Sequence, residues 1–322
     1  QSIIDADEPF EKTDVPMAEA NKIFLEMGME DKVEIMKYRT EDTISIYSNG
    51  DMNDYLFGYM VPSTGYLKMF GLKFYLPGVI LQHPEIEEPD QIRPFHDNPK
   101  LFKVFRQAEK WSASLGIRNI ADLNRCIEEG RGPDLVRISE AAQEKFFGSI
   151  ADDIAQHSDA VRLILIAGPS SSGKTTFAQR LRVQLMVNGL HPVPISMDNY
   201  YLDRELVPED EKGEQDLESI DSIDLELFNE QMTLLIQGQE VEIPHYNFHT
   251  GKREFTGNFI QVSEMQPLIV EGIHGLNEKL TEMIPRENKY KIYISALTQL
   301  NVDNHNRIPT TDARLWLSTF NW

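Results

Sequence analysis

Cysteine is nearly absent from this sequence. Cys126 is the one thiol among 322 residues, so no disulfide can form within the chain, and no Cys/His group has the spacing of a zinc site. A reducing compartment suits such a chain, and the cytoplasm is the expected location. Cys126 has no activating partner nearby in NIADLNRCIEEG, so a core position is expected for it. Long apolar runs are missing too. The longest, such as Leu163 to Ala167, fall far short of the ~18 residues of a membrane span, and no signal-peptide pattern opens the chain. No membrane partner is expected. Basic charge is scarce: 31 Lys and Arg face 52 Asp and Glu, a net charge of -21. That balance opposes nucleic-acid binding unless one surface reverses the sign. A homo-oligomer remains open as a partner.

What is present is a globular composition, 41% hydrophobic and 26% charged, at a length that suits two domains. The start at Gln1 in place of Met reads as a fragment or a processed product. From Pro84 to Pro99 the run PEIEEPDQIRPFHDNP has no periodic apolar face and marks a boundary. Before it, TISIYSNGD and GYLKMFGLKFYLPGVIL alternate apolar and polar residues as strands do. Asp14 to Gly28 reads as one helix, with Pro16 in its first turn and Ala18, Ile23, Phe24 and Met27 facing a core. This first region is α+β.

Beyond the boundary, Leu101, Val104, Phe105, Ala108 and Trp111 recur at helical spacing, as do Ala142, Phe146, Ile150 and Ile154. Between them NIADLNRCIEEG predicts a short helix closed by Gly130. The three together predict a helical bridge. From Val161 onward short apolar runs alternate with helical stretches, the pattern of βαβ units and a parallel sheet. Strands are expected at Val161 to Ala167, Pro192 to Ser196, Pro267 to Glu271 and Lys291 to Ala296. VEIPHYNF and KREFTGNFIQV, joined around Thr250 and Gly251, predict a hairpin or flap on that α/β core. The expected division is 1–95, 96–158 and 159–322.

Chemistry enters at GPSSSGKTT, which matches G-x-x-x-x-G-K-[ST] after an apolar strand and before the helical run TFAQRLRVQLMVNG. Gly168, Ser170, Ser171, Ser172 and Gly173 form a turn whose N–H groups converge on phosphate oxygens at the positive end of the next helix. Lys174 reaches the β and γ phosphates, Thr175 offers a hydroxyl to Mg²⁺, and Thr176 continues the helix beside the α phosphate. ATP or GTP with Mg²⁺ is therefore the expected cofactor. A second metal-side acid is expected at a neighbouring strand end, and PLIVEGIHG supplies Glu271. Asp198, at the tip of PVPISMD, is placed to accept a proton from an attacking hydroxyl; a helix cap or a second metal ligand is its other reading.

The order GPSSSGKTT, SMDNYY, YNFHTGKR and IVEGIHG resembles the uridine kinase and phosphoribulokinase family of P-loop kinases, over about Val161 to Leu315. The resemblance implies that Asp198 is the catalytic base toward a ribose 5′-hydroxyl, with Lys174 beside it in catalysis. It implies that Asp216 binds the ribose hydroxyls, that Tyr246 and His249 contact the base, and that Arg314 is the first arginine of a lid. Their other readings are a solvated acid for Asp216, a packed strand residue for Tyr246 and a turn residue for His249. The implied reaction is transfer of the γ-phosphoryl to uridine or cytidine. ISIYSNGD followed by VPSTGYLKMFGL resembles the editing module of threonyl-tRNA synthetase, the arrangement of the long bacterial uridine kinases. Leu56 and Met60 stand where that module has a cysteine and a histidine, so editing chemistry is not expected. After DARL, Asp312 to Leu315, the family's arginine-rich lid and last strand do not follow, and a truncated kinase domain is expected. Two rivals stay open: another P-loop small-molecule kinase, such as a phosphoribulokinase-like one, which the acidic stretch Glu205 to Asp224 disfavours, and a nucleotide-gated RNA-binding or regulatory protein, which the net charge opposes.

Overall fold

The computed structural model describes residues 1–56, 59–209, 213, 215–263, 265–295 and 300–306. These form two compact units, one holding 1–131 together with 300–306 and the other holding 132–295.

The first unit begins with helix α1 (Ser2–Asp5), strand β1 (Glu11–Pro16) and helices α2 (Met17–Glu26) and α3 (Glu30–Met36). The single helix expected from Asp14 to Gly28 is therefore shorter. Its first residues pair as a strand with β2 (Thr43–Asn49), Val15 opposite Ile44, and Pro16 stands at the helix N-cap, where its missing N–H costs nothing. With that start, Ala20 and Phe24 are the fully buried pair of α2, four residues apart, and Ala18 faces solvent. A third strand, β3 (Met52–Asp54), completes the sheet β1-β2-β3, and β4 (Gly71–Tyr75) and β5 (Gly78–Gln82) form a separate hairpin.

The helices of the expected bridge do not stay together. Helices α4 (Pro99–Ser114) and α5 (Ile120–Glu128) belong to the first unit, whereas α6 (Gly132–Gln156) belongs to the second. Tyr38, just past α3, donates to the Glu128 carboxylate of α5 at the surface, and Phe147 of α6 meets Phe177 edge-on at 5.0 Å in the core of the second unit. On α6 the buried aromatic is Phe147 and not the expected Phe146, because Ala151 and Ile154 share its face. The stripe expected on α4 stays 39% to 50% exposed at Leu101, Val104 and Trp111. Cys126 is buried, as expected.

The second unit is a parallel sheet of β6 (Leu163–Ala167), β7 (Val193–Ser196), β12 (Leu268–Gly272) and β13 (Lys289–Tyr293), in the order β13-β6-β12-β7. Successive side chains point to opposite faces. Leu163 and Leu165 join the core under helix α8 (Leu225–Ile236), while Ile164 and Ile166 join the core under α6 and α7 (Lys174–Val187). Short strands β8 (Val241–Glu242), β9 (His245–Asn247), β10 (Lys252–Glu254) and β11 (Phe259–Ile260) make the expected insertion, with β9 pairing β10 and β8 pairing β11. The carboxyl ends of β6, β7 and β12 open on one crevice, the place where open α/β sheets bind ligands. No helix among the described residues is long and apolar enough to cross a membrane.

Candidate active site

The loop between β6 and α7 is shaped by local backbone chemistry. Gly173 holds φ at +85° as the residue before the helix, a conformation that side chains other than glycine rarely adopt. Ser171 also has positive φ, at 58°. Gly168 is required for space: a Cβ there would lie 2.1 Å from the Ile294 carbonyl oxygen and 2.7 Å from Ser172 Oγ. The result is a curled loop at the start of a fourteen-residue helix, whose first N–H groups have no carbonyl within the helix to bind and lie at its positive end.

The donors fit a phosphate chain. Lys174 Nζ folds back to donate to the Pro169 carbonyl at 3.0 Å, and Ser172 Oγ is buried with no hydrogen-bond partner among the described residues. Ser170, Ser171, Thr175 and Thr176 are exposed around them. Thr175 Oγ1 donates to Glu271 Oε1 at 3.0 Å, so the first turn of α7 and the end of β12 present a hydroxyl and a carboxylate together. Hard oxygen donors of this kind suit Mg²⁺. A cavity of about 390 Å³ opens beside the pair, with Gln179, Arg182, Ser196 and Asn199 in its wall.

Asp198 lies in the helical turn Met197–Tyr200 directly after β7. Burial pushes its carboxyl above the usual aspartate range, and the charge of the Lys174 ammonium pulls in the opposite direction. Beside them stands an aromatic group. Tyr201 and Tyr246 have ring centres 5.5 Å apart, and Phe248 lies 5.0 Å from Tyr246 and 6.3 Å from Tyr201. Tyr246 is buried, while Phe248 is 64% exposed. Burial, with the negative charges of Asp198 and Glu218, pushes the Tyr201 phenol up to about 12. Asn199 Oδ1 accepts from the Tyr246 N–H at 3.4 Å and joins the aspartate segment to the hairpin.

The other expected residues fall outside this group. Asp216 is exposed and its Oδ1 caps its own turn, accepting from the Glu218 N–H at 2.9 Å. His249 is exposed in the hairpin turn, its N–H donating to Asn247 Oδ1 at 3.1 Å. Arg314 and the DARL segment lie outside the described residues. Asn199, Tyr201, Glu218 and Phe248 were not singled out from sequence. Asn199 and Tyr201 stand in SMDNYY and Phe248 in YNFHTGKR, but nothing in those strings says which aromatic rings will meet.

With the geometry in place, comparison with known proteins defines the class. Residues 163–308 match the family model described as the phosphoribulokinase / uridine kinase family. That segment, on an α/β fold, is similar to the P-loop kinases of this family. Over 122 residues the chain is 30% identical to the uridine kinase of Ureaplasma parvum serovar 3, which covers 38% of this chain and 58% of that protein. The match therefore spans under two thirds of that relative's length. A further 72 residues' match, 40% identical, is to the threonine–tRNA ligase of Nitratidesulfovibrio vulgaris, covering 22% of this chain and 11% of the ligase. It accords with the resemblance carried by ISIYSNGD and VPSTGYLKMFGL. A solved structure described as a possible uridine kinase from Bacillus stearothermophilus aligns with a TM-score of 0.38 at 21% identity, over 48% of this chain and 80% of that one.

Proposed function

We propose that this protein is a nucleoside kinase that transfers the γ-phosphoryl group of ATP or GTP to the 5′-hydroxyl of uridine or cytidine in the cytoplasm. The observation that carries the reading is the half-buried Asp198, whose carboxyl is within electrostatic reach of Lys174 in the phosphate loop and of Tyr201 in the Tyr201–Tyr246–Phe248 group. A carboxylate at that place can take a proton from an acceptor hydroxyl pointing toward the phosphate loop. The aromatic group offers a face on which a flat base can stack.

In this reading the amides of Gly168 to Thr176 and the Lys174 ammonium hold the phosphates and take up negative charge that shifts during transfer. Asp198 accepts the 5′-hydroxyl proton as that oxygen bonds to the γ phosphorus and the bond to the β-phosphate oxygen breaks, releasing the nucleoside diphosphate. Thr175 and Glu271 would hold Mg²⁺, which when bound neutralises the phosphate oxygens. Asp216, His249 and Arg314 complete the proposed substrate set. The family match and the uridine kinase relative support a nucleoside as acceptor. The test is product formation by the full chain with ATP, Mg²⁺ and a panel of nucleosides. A 5′-monophosphate from uridine or cytidine is expected, and intact ATP binding with no phosphorylation of any nucleoside would overturn the reading.

A further inference from the structure

Among the described residues, four hydrogen-bonded or ionic links join the β9–β10 hairpin to residues 199–224. Besides the Asn199 bond to Tyr246, the Arg253 N–H donates to Asp203 Oδ1 at 2.8 Å and the Arg204 N–H donates to the Gly251 carbonyl at 2.8 Å. The fourth is an ion pair, Arg253 Nη1 to Asp224 Oδ2, at 2.8 Å. Its side chains are only 20% and 22% exposed, so water screens it less than it would a surface pair.

The placement of this pair sets it apart. Arg253 stands directly opposite Tyr246 in the antiparallel ladder, and residues so paired project on the same face. Asp224 is itself held at both ends: its Oδ1 accepts from the Leu227 N–H at the start of α8, and its own N–H donates to the Tyr200 carbonyl. Tyr200 in turn is fully buried, with its hydroxyl on Gln231 Oε1 at 2.8 Å. The guanidinium thus fastens β10, the strand paired with that of Tyr246, to a fixed carboxylate whose own N–H is hydrogen-bonded to the last residue of the Asp198 turn. Without it the hydrogen bonds left between the hairpin and residues 199–224, among the described residues, all involve the hairpin backbone, and its aromatic rings can shift relative to Asp198.

Resting on the nucleoside-kinase reading, we propose that Arg253 is a positioning residue: paired with Asp224, it holds Tyr246 and Phe248 in place against Asp198 and so sets how tightly the base-bearing acceptor is bound. It touches neither the phosphates nor the proton that moves, so its removal weakens acceptor binding and leaves the chemical step.

The experiment compares the full chain with Arg253→Gln, Arg253→Lys, Asp224→Asn and the Arg253→Gln/Asp224→Asn double variant. Asparagine at 224 keeps the helix-capping acceptor and removes the charge. With uridine, ATP and Mg²⁺, each glutamine or asparagine variant is expected to raise KM for uridine about tenfold, with kcat and KM for ATP within roughly twofold, and the double variant to be no worse than the poorer single one. Lysine, which keeps the charge, is expected in between. Unchanged KM for uridine, or equal losses in kcat and in ATP affinity, would overturn the proposal. Hydrogen exchange of the 251–254 amides is read in parallel and needs no turnover. Faster exchange confined to the hairpin supports the clamp, and unchanged protection overturns it even if the wild type phosphorylates no nucleoside, an outcome that by itself sinks only the kinase reading.

Discussion

Thr175 Oγ1 and Glu271 Oε1 are hydrogen-bonded at 3.0 Å although 96 residues separate them in the chain. The contact arises because β6 and β12 are neighbours in register, Ile166 opposite Glu271, so the loop after one strand meets the tip of the other. A hydroxyl and a carboxylate so joined form the metal side of the proposed site. Glu271→Gln keeps a hydrogen-bond acceptor and removes the charge, and it is expected to raise the Mg²⁺ concentration for half-maximal turnover about 10- to 100-fold. Mg²⁺ titrations at saturating ATP check this; an unchanged midpoint would remove Glu271 from the metal side.

Asp198→Asn is expected to act in opposite directions on turnover and stability. Loss of the base should cost on the order of 10² to 10⁴ in kcat, with ATP binding retained. Burial raises the Asp198 carboxyl in the folded state above its unfolded value, so ionisation favours the unfolded chain. Its contribution to stability is greatest below the unfolded value of about 3.9 and is lost as pH rises through the folded one. At neutral pH the asparagine variant should therefore melt at a higher temperature, a difference that closes as pH falls. Melting curves at neutral and acidic pH measure it, and an asparagine variant less stable at neutral pH would contradict the burial of a charged group.

The acid limb of the rate profile carries the same group. If Asp198 must be ionised to accept a proton, kcat/KM should fall at low pH with a midpoint above the usual aspartate range, reflecting burial against the pull of Lys174. Lys174→Met, which removes that pull, is expected to abolish turnover. Nucleoside binding to this variant, followed against pH, should show the carboxyl titrating higher still.

Gly168→Ala places a methyl group 2.1 Å from the Ile294 carbonyl oxygen. Backbone cannot rotate aside as a side chain can, so the loop must shift. A loss of about 1 to 3 kcal/mol is expected from such overpacking. ATP is expected to raise the melting temperature of the wild type, and in the variant this rise should vanish. Calorimetry with and without ATP reads both effects, and an alanine variant with a normal ATP response would show that the loop tolerates the displacement.

In the first unit, Lys32 and Asp303 are both fully buried, with Lys32 Nζ 3.3 Å from Asp303 Oδ2 and 2.8 Å from Asp54 Oδ1. Lys32→Met leaves the Asp303 carboxylate buried without its cation, and a loss of about 3 to 5 kcal/mol is expected. Burial pushes the Asp303 carboxyl up, but hydrogen bonds from Tyr55, Asn306 and the amides of His305 and Asn306 outweigh it and hold the group below its ordinary value. Its contribution is thus present above the unfolded pKa and lost as pH falls through the folded one. Denaturant melts of the variant against pH test this; stability equal to wild type would mean that Asp303 is satisfied without Lys32.

Much of the kinase unit was legible in the sequence. The strands around Leu163–Ala167 and Leu268–Gly272 were readable because a run of apolar residues bounded by turn signals has few other solutions. The errors have one cause. Phe146 and Phe147 are adjacent, and spacing alone does not say which of them faces Phe177. The residues from Asp14 to Pro16 pair with Thr43 to Ser45, a partner far along the chain, and that pairing overrode the helix expected there. Asp216 is exposed, in accord with its other reading as a solvated acid, and only the structure shows that its carboxylate caps its own turn.

By itself the sequence determined what depends on near neighbours in the chain. The glycines of GPSSSGKTT dictate the curl of the phosphate loop through φ and close approach, Lys174 opens the helix behind it, and a single thiol rules out an internal disulfide. Tertiary structure alone decided which distant groups meet: Thr175 with Glu271, Tyr201 with Tyr246, Arg253 with Asp224, Lys32 with Asp303. The physical reason is range. Backbone dihedrals and hydrogen-bond turns are set within a few residues, whereas burial, and with it the pKa of a carboxylate or the strength of an ion pair, is set only when separate elements exclude water together.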